Sequence, residues 1–284
     1  HLLKVRRGLT TETVETLRAR YGPSYRWIVA VTGMMAAMTM ILSSTMVNVA
    51  VPSIMGTFGV GQGEAQWMST AFLSAMTASQ LLGAWAMSVA GPRGGYLGAV
   101  ALFIAGSLLG AVAPNIDVLI AARTLQGVAA GIVQPIVMVT IFRAFPIQNR
   151  GLALSLYGMG IMLAPVMGPV VGGITIDAIS WRYMFFIPLP FAGLSIVLGT
   201  LFMPTRDEES ARLPFNWIGY GLIVGAIICA MTAIANGHRD GWTSDKILLL
   251  GFMGIGLFVA FVMSQLRASA PILDFAVLDR KSTR

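Results

Sequence analysis

Charged residues make up only 11% of this 284-residue chain, whereas 56% of its residues are hydrophobic. A typical soluble domain carries about 25% charged residues, so the composition excludes an ordinary soluble domain. There is one cysteine, Cys229, which excludes a disulfide framework and a cysteine metal site. The two histidines, His1 and His238, lie outside every long apolar stretch. We therefore predict no cofactor and no metal site.

The sequence also lacks the motifs of enzymes. It contains no Walker glycine loop with Lys-Ser/Thr, no His-Glu-x-x-His, and no serine or cysteine with a plausible histidine partner. The glycine-rich run GPRGG, residues 91–95, lies between two apolar stretches rather than after a strand. We interpret it as a tight turn. The sequence thus predicts no catalytic residue and no enzyme, because an integral membrane enzyme would need a catalytic constellation that is not found.

What the chain has in abundance is long apolar segments. Eight of them run roughly over 27–50, 64–86, 96–113, 118–142, 151–175, 184–203, 215–235 and 247–266. Apolar runs of about 18 to 24 residues are long enough to cross the hydrocarbon core as helices. Helices also satisfy their own backbone hydrogen bonds, which lipid cannot do. The sequence therefore predicts an all-α, polytopic helical membrane protein.

The basic residues lie mainly on one side of these segments. With a cytoplasmic N-terminus, the cytoplasmic parts carry fifteen Lys and Arg, the outer loops carry three, and Arg123 lies within a segment. Such a bias sets membrane orientation. We predict a multi-pass protein of the cell inner membrane with both termini of this chain in the cytoplasm. The net charge of +7 is then explained by topology and membrane lipid, not by nucleic acid.

Polar breaks divide the chain into five parts. The predicted parts are a cytoplasmic N-terminal segment over 1–26, a six-helix bundle over 27–203, a cytoplasmic linker over 204–214, two additional transmembrane helices over 215–266, and a cytoplasmic segment over 267–284. The linker, PTRDEESARLP, holds three consecutive acids, as solvated loops often do.

Arg123, in the fourth segment, is the most informative single residue. An arginine at a helix centre costs about 2.5–3.5 kcal/mol on insertion scales, so it normally faces the bundle interior and has a partner. The alternative is an arginine that snorkels to the outer boundary, because Asp117 begins that helix six residues earlier. Gln126 adds an amide, and Gly127 allows a neighbouring helix to come close. This context favours a functional role.

The fifth segment combines small residues with two prolines. Small residues recur every four positions, at Gly160, Ala164, Gly168 and Gly172. That spacing places them along one helix face and permits close helix packing. Pro165 and Pro169 each remove a backbone donor, so we expect them to bend or locally open the helix. A generic packing helix is the alternative interpretation.

Several short motifs together resemble those of the fourteen-helix drug:proton antiporters of the major facilitator superfamily. The fifth segment is similar to the antiporter motif G-x-x-x-G-P-x-x-G-G through Ala164, Gly168, Pro169, Gly172 and Gly173. The run from Arg123 to Gly127 resembles R-x-x-Q-G. Residues 45–52, TMVNVAVP, resemble T-I-V-N-V-A-L-P, and WRY at 181–183 and PILD at 271–274 resemble W-R-W and P-L-L-D.

The resemblance implies a major-facilitator-type six-helix N-terminal bundle plus two additional helices, leading to a C-terminal half that is missing here. It implies proton-coupled export of small hydrophobic or cationic drugs by alternating access, between halves that rock against each other. The transport and coupling residues would be Arg123, Gln126, Gly127 and Asn48. The antiporter-motif packing residues would be Ala164, Pro165, Gly168, Pro169, Gly172 and Gly173. A periplasmic adaptor and an outer-membrane channel are possible partners of such exporters.

The sequence departs from the family pattern where acids are expected. Ser43 and Ser44 stand where an aspartate usually precedes T-I-V-N, and the loop motif over 83–93 lacks its aspartate. No Asp or Glu falls deep within an apolar segment, although proton carriers are typically buried Asp, Glu or His. A carrier would have to be Asp117 or Glu64 near the outer surface, or lie in the missing half. A degenerate or truncated, non-transporting membrane scaffold is therefore the alternative function.

Methionine is unusually frequent, with eighteen residues. Those in the first and fifth segments, such as Met34 and Met159, either form an adaptable wall for varied hydrophobic ligands or fill the core and face lipid.

Overall fold

A computed structural model describes residues 12–205 and 214–267. The helices in these ranges are α1 (Val14–Tyr21), α2 (Tyr25–Phe58), α3 (Gln62–Ala111), α4 (Ile116–Ala144), α5 (Arg150–Ala178), α6 (Pro188–Phe202), α7 (Trp217–Asp240) and α8 (Asp245–Arg267). Short 3₁₀ turns occupy Gly22–Ser24, Ile147–Asn149 and Trp181–Phe185. No β-strand occurs in the described ranges. The predicted all-α class is confirmed.

Within residues 12–205 and 214–267, seven helices are long and apolar enough to cross a membrane, and α3 contains two of the eight predicted segments. Its helical geometry breaks at Gly91, where φ is 75° and ψ is 169°. A Cβ on Gly95 would lie 3.6 Å from the Cβ of Ala86. In a straight helix, residues nine apart are separated by about 13 Å. The chain therefore turns back at Gly91, as predicted for GPRGG, and α3 consists of a first arm (62–90) and a second arm (92–111).

Local sequence explains where several helices begin and end. Asn115 caps α4, because its side-chain oxygen accepts a 2.9 Å hydrogen bond from the backbone N–H of Val118. Asp117 follows in the first turn, where a negative charge is favoured by the helix dipole. Gly59 ends α2 in the left-handed region, with φ 64°, which glycine adopts without strain. With Gly59 as its end, α2 extends to Phe58, beyond the predicted segment 27–50.

The described residues form two compact units, one within 12–205 and the other within 214–267. In the first unit, α2 to α6 bury two apolar clusters. One surrounds Tyr96, Phe103 and Val133, and the other lies around Met46, Met68 and Trp181 near the opposite helix ends. In the second unit, α7 and α8 pack closely, since a Cβ on Gly254 would lie 3.3 Å from the Cβ of Cys229. Cys229 is buried and free.

Candidate functional site

Arg123 lies inside the first unit, with no exposed surface. Its Nη1 donates a 2.7 Å hydrogen bond to Oε1 of Gln126, one turn later on the same face of α4. Its guanidinium carbon is 4.4 Å from the ring centroid of Phe72, on the first arm of α3. This geometry is a desolvated cation–π contact. The snorkelling alternative is therefore wrong, because the side chain points into the protein.

Gln126 connects Arg123 to two other helices. Its Nε2 donates to Oγ of Ser107, on the second arm of α3, at 2.8 Å. A second, longer contact of 3.5 Å reaches Oγ of Ser43 on α2. Arg123, Gln126, Ser43 and Ser107 are all fully buried, and we name these four residues the Arg123 cluster. The cluster joins α2, α3 and α4 through buried polar groups.

The Arg123 cluster leaves hydrogen-bonding capacity unused. Nε and Nη2 of Arg123 are buried without a hydrogen-bond partner in the described ranges. No ion pair of Arg123 occurs among the described residues either. A buried, unpaired charge is costly, and the Phe72 ring compensates for only part of that cost. Arg123 therefore retains two nitrogens that can still donate hydrogen bonds.

Gly127 has a packing role beside this cluster. A Cβ at Gly127 would lie 2.3 Å from the carbonyl oxygen of Phe72, and one at Gly131 would lie 2.2 Å from that of Met76. Both glycines therefore let α4 approach the backbone of the first arm of α3. The approach at Gly127 also sets the Phe72 ring against Arg123. The close approach of a neighbouring helix, expected from the sequence, is thus observed.

Asn48 is not part of the Arg123 cluster. It is exposed on α2, and its Oδ1 accepts a 2.8 Å hydrogen bond from Oγ of Ser69 on the first arm of α3. The structure thus separates the four residues assigned to transport into a buried group and one exposed amide. Conversely, the site contains Ser43 and Ser107, which were not among the predicted residues. A serine within an apolar segment was the available signal for both.

The small residues of α5 form a single buried face against α2. Gly160, Ala164, Gly168 and Gly172 are all buried. A Cβ on Gly168 would lie 1.9 Å from Oγ1 of Thr45, and that hydroxyl donates a 3.4 Å hydrogen bond to the carbonyl of Ala164. A Cβ on Gly172 would lie 3.2 Å from the carbonyl oxygen of Met46. The predicted close-packing face is therefore present.

The remaining residues of the antiporter motif do not contribute to this face. Pro165 and Pro169 are exposed, and α5 remains helical from Arg150 to Ala178, so the expected local opening is absent. A Cβ on Gly173 would meet no atom within 4 Å. The reason is geometric. These three residues each follow a member of the small face by one position, which rotates them by about 100° around a helix with 3.6 residues per turn.

The WRY motif ties together helix ends. Nε1 of Trp181 donates a 3.0 Å hydrogen bond to Oγ1 of Thr57, near the end of α2. Nη1 of Arg182 donates to the carbonyls of Ala113 and Ala111, at 2.9 and 3.2 Å, beyond and at the end of α3. The guanidinium of Arg182 also lies 4.5 Å from the Trp181 ring. These contacts fix the connection before α6 to the ends of α2 and α3.

A second charged cluster lies at helix ends close to Glu12, the first residue that the structure describes. The guanidinium of Arg93 contacts the carboxylate of Glu12, and Nη1 of Arg20 lies 2.8 Å from it. Nε of Arg93 donates to the carbonyl of Met203 at 2.7 Å, after α6. The hydrogen bond from Arg93 lowers the pKa of Glu12 below its ordinary value. This pairing, which no sequence pattern predicts, brings a carboxylate to a loop motif that lacks its own aspartate.

Acids in the described ranges lie at helix ends or in connections. Glu64, Asp117 and Asp245 occupy first turns of α3, α4 and α8. None of the described residues forms a group of three or more His, Cys, Asp or Glu that could hold a metal ion. Among the described residues of the first unit, Arg123 is the charged side chain that is fully buried.

Comparisons with known proteins agree with this architecture. The family model described as Major Facilitator Superfamily matches residues 33–266. The uncharacterized MFS-type transporter YhcA of Bacillus subtilis is 32% identical over 84% of this chain and 44% of its own length. Multidrug export protein EmrB of Haemophilus influenzae is 30% identical over 87% of this chain and 49% of its own. The chain thus spans about half the length of these relatives.

Solved structures show the same fold at low sequence identity. A peptide transporter POT in complex with sulfate has a TM-score of 0.63 at 18% identity, covering 87% of this chain and 53% of the transporter. The proton:xylose symporter XylE has a TM-score of 0.58 at 13% identity, over 88% of this chain and 56% of its own. The motif resemblance, the helical architecture and the family match agree, and this chain belongs to the Major Facilitator Superfamily, a family of transporters and not of enzymes.

Proposed function

We propose that this chain is part of a secondary active transporter that exports hydrophobic or cationic compounds in exchange for protons by alternating access. The transporter family supports this class of activity. The names of two relatives, multidrug export protein EmrB and the probable multidrug resistance protein EmrY of Escherichia coli, support drugs as the exported compounds. The proposal concerns the full-length protein, because the chain spans about half of those relatives.

The observation that carries the proposal is the Arg123 cluster. A guanidinium with two unpaired nitrogens, buried between α2, α3 and α4, is a costly feature that packing alone does not require. We assign it a role as a fixed positive charge that sets the electrostatic potential inside the bundle. Gln126 holds the guanidinium in place, and Gly127 allows the Phe72 ring to cover it.

The proposed motion uses the α2–α5 contact as a packed hinge. Because Gly168 places the α5 backbone against Thr45, this contact would stay closely packed while the six-helix bundle rocks. Asn48 is exposed on α2, so its amide is available to a substrate or to the remainder of the full-length protein. The proton carrier would be Asp117, Glu64 or a residue outside this chain.

The most direct cellular test is efflux of a fluorescent cationic dye by the full-length protein. Cells that express it should lose preloaded ethidium faster than cells with an empty vector, and collapse of the proton gradient should remove the difference. Equal efflux in both strains, with the protein present in the membrane, would instead support the non-transporting scaffold. Efflux that persists without the gradient would contradict the proton coupling but not the export activity.

A further inference from the structure

An apolar slot of about 310 Å³ lies between the first turns of α2 and α5. It is lined by residues from both helices, including Trp27, Met34, Leu156, Tyr157 and Met159. The lining is almost wholly apolar, and its volume is at the lower end for small-ligand sites. The slot is separate from the Arg123 cluster, because no residue of that cluster lines it.

Two arginines lie beside the slot, on the helix turns that form it. Arg26 immediately precedes Trp27, and its guanidinium carbon is 5.9 Å from the Trp27 ring centroid and 5.8 Å from that of Phe145. Arg150 begins α5, three residues before Ala153 of the slot lining, and donates a 3.2 Å hydrogen bond to the carbonyl of Phe145. Both cations therefore converge on Phe145.

Neither arginine forms an ion pair within residues 12–205 and 214–267. Nε of Arg26 is buried and has no hydrogen-bond partner among the same residues. Buried donors are normally satisfied, so an unpaired one marks a position where an acceptor would be stabilised. By contrast, the nearby arginines Arg93 and Arg20 are both paired with Glu12.

We propose that the slot and these two arginines form a binding site for an anionic membrane phospholipid. One acyl chain would occupy the apolar slot, and the phosphate would accept hydrogen bonds from Arg26 and Arg150. The argument is charge complementarity: an apolar cavity next to two unpaired cations, at the end of membrane-spanning helices, fits a molecule with an apolar tail and an anionic head. The methionines in the wall suit chains of different length and unsaturation.

The test measures phospholipid binding by the purified full-length protein, which is delipidated and then supplied with one phospholipid at a time. We expect native mass spectrometry to show one tightly held dioleoyl phosphatidylglycerol, and much weaker retention of dioleoyl phosphatidylcholine. The double variant Arg26→Gln/Arg150→Gln should weaken phosphatidylglycerol binding by about 30-fold. The matched control is Arg18→Gln/Arg143→Gln, which removes two exposed arginines of the same region and should leave binding unchanged.

A second pair of variants tests the acyl-chain part independently. Leu156→Trp places bulk in the slot at a side chain that is 40% exposed, so folding should be preserved, and it should also weaken phosphatidylglycerol binding. Leu163→Trp, at another exposed position on α5, should not. Three results would each overturn the assignment. The first is an equal loss of phosphatidylglycerol binding in the arginine control, and the second is equal retention of both phospholipids. The third is displacement of phosphatidylglycerol by stoichiometric oleate. Each of these lipid-binding results is compatible with either normal or absent dye efflux. The lipid-binding test can therefore fail or succeed independently of the transport test.

Discussion

At the scale of the residue, the Arg123 cluster contains both a predictable and an unpredictable part. The contact between Arg123 and Gln126 could be anticipated, because residues three apart share a face of a helix. The contacts from Gln126 to Ser107 and Ser43 could not, since they join α4 to two helices distant in sequence. Helix periodicity fixes neighbours within a helix, whereas partners between helices depend on the packing of the whole bundle.

Removing the charge of Arg123 should impair transport without preventing insertion. We expect Arg123→Gln to lower dye efflux at least about tenfold, because the amide keeps hydrogen-bonding groups but loses the fixed charge and the cation–π contact. The measurement is efflux normalised to the amount of protein in the membrane. Arg143→Gln, at an exposed arginine of the same helix, should behave as wild type. Wild-type efflux by Arg123→Gln would refute the proposed role.

The ion pair of Glu12 predicts a pH-dependent contribution to stability. Because Arg93 lowers the pKa of Glu12 in the folded protein, the stabilisation is complete above the ordinary value of 4.5 and is lost as pH falls through the lowered pKa. Glu12→Gln should therefore melt at a lower temperature than wild type at pH 7, and this difference should shrink as the pH falls below about 4.5.

Thermal unfolding in detergent at a series of pH values measures this effect. Glu15→Gln is the matched control, since Glu15 is exposed and close in sequence. Its melting temperature should follow wild type throughout. A deficit of Glu12→Gln that stays constant across the pH range would show that ionisation of this carboxylate does not provide the stabilisation.

At the scale of the element, the small face of α5 was predictable from spacing alone, and the effect of the prolines was not. A four-residue repeat of small residues necessarily falls on one side of a helix. The consequence of a proline depends on its surroundings, and here Pro165 and Pro169 lie on the exposed side of a continuous helix. Likewise, GPRGG predicted the turn within α3. It did not predict that both arms would stay helical up to the residues next to Gly91.

Gly168 and Gly173 provide a matched test of the α2–α5 contact. Gly168→Leu should abolish dye efflux while the protein still inserts, because even a Cβ there would lie 1.9 Å from Oγ1 of Thr45. Overpacking of this kind typically costs about 1–3 kcal/mol. Gly173→Leu adds the same side chain to the same helix, where a Cβ meets nothing within 4 Å, and should retain efflux.

Efflux and membrane content of both variants should be measured side by side. Normal efflux by Gly168→Leu would exclude the packed hinge. An equal loss in Gly173→Leu would show that leucine in α5 is harmful irrespective of the contact with α2.

At the scale of the whole molecule, segment length and motif order predicted the fold class and the family. Both are encoded locally: hydrocarbon thickness sets the length of an apolar segment, and short motifs occur in a fixed order. A shared site for Asn48 and Arg123 depends instead on how the helices pack. The structure places Asn48 on an exposed face and Arg123 in the interior, so the two residues do not share one site.

The proposed orientation can be measured by cysteine labelling. In a background that includes Cys229→Ala, Thr243→Cys should react with a membrane-impermeant maleimide in intact cells, because it lies in the connection between α7 and α8. Gly94→Cys, at the start of the second arm of α3, should react only after permeabilisation. Both positions are exposed, so access rather than burial decides the outcome. Labelling of both from the same side of the bilayer would contradict the topology.

Coupled flux in proteoliposomes is the measurement that addresses the proposed exporter most directly. The full-length protein would be reconstituted with a pH-sensitive dye in the lumen, and a cationic drug would be added outside under an imposed proton gradient. We predict drug accumulation accompanied by proton movement in the opposite direction, with both abolished in Gly168→Leu and retained in Gly173→Leu. Intact, inserted wild-type protein that moves neither drug nor protons would contradict the account.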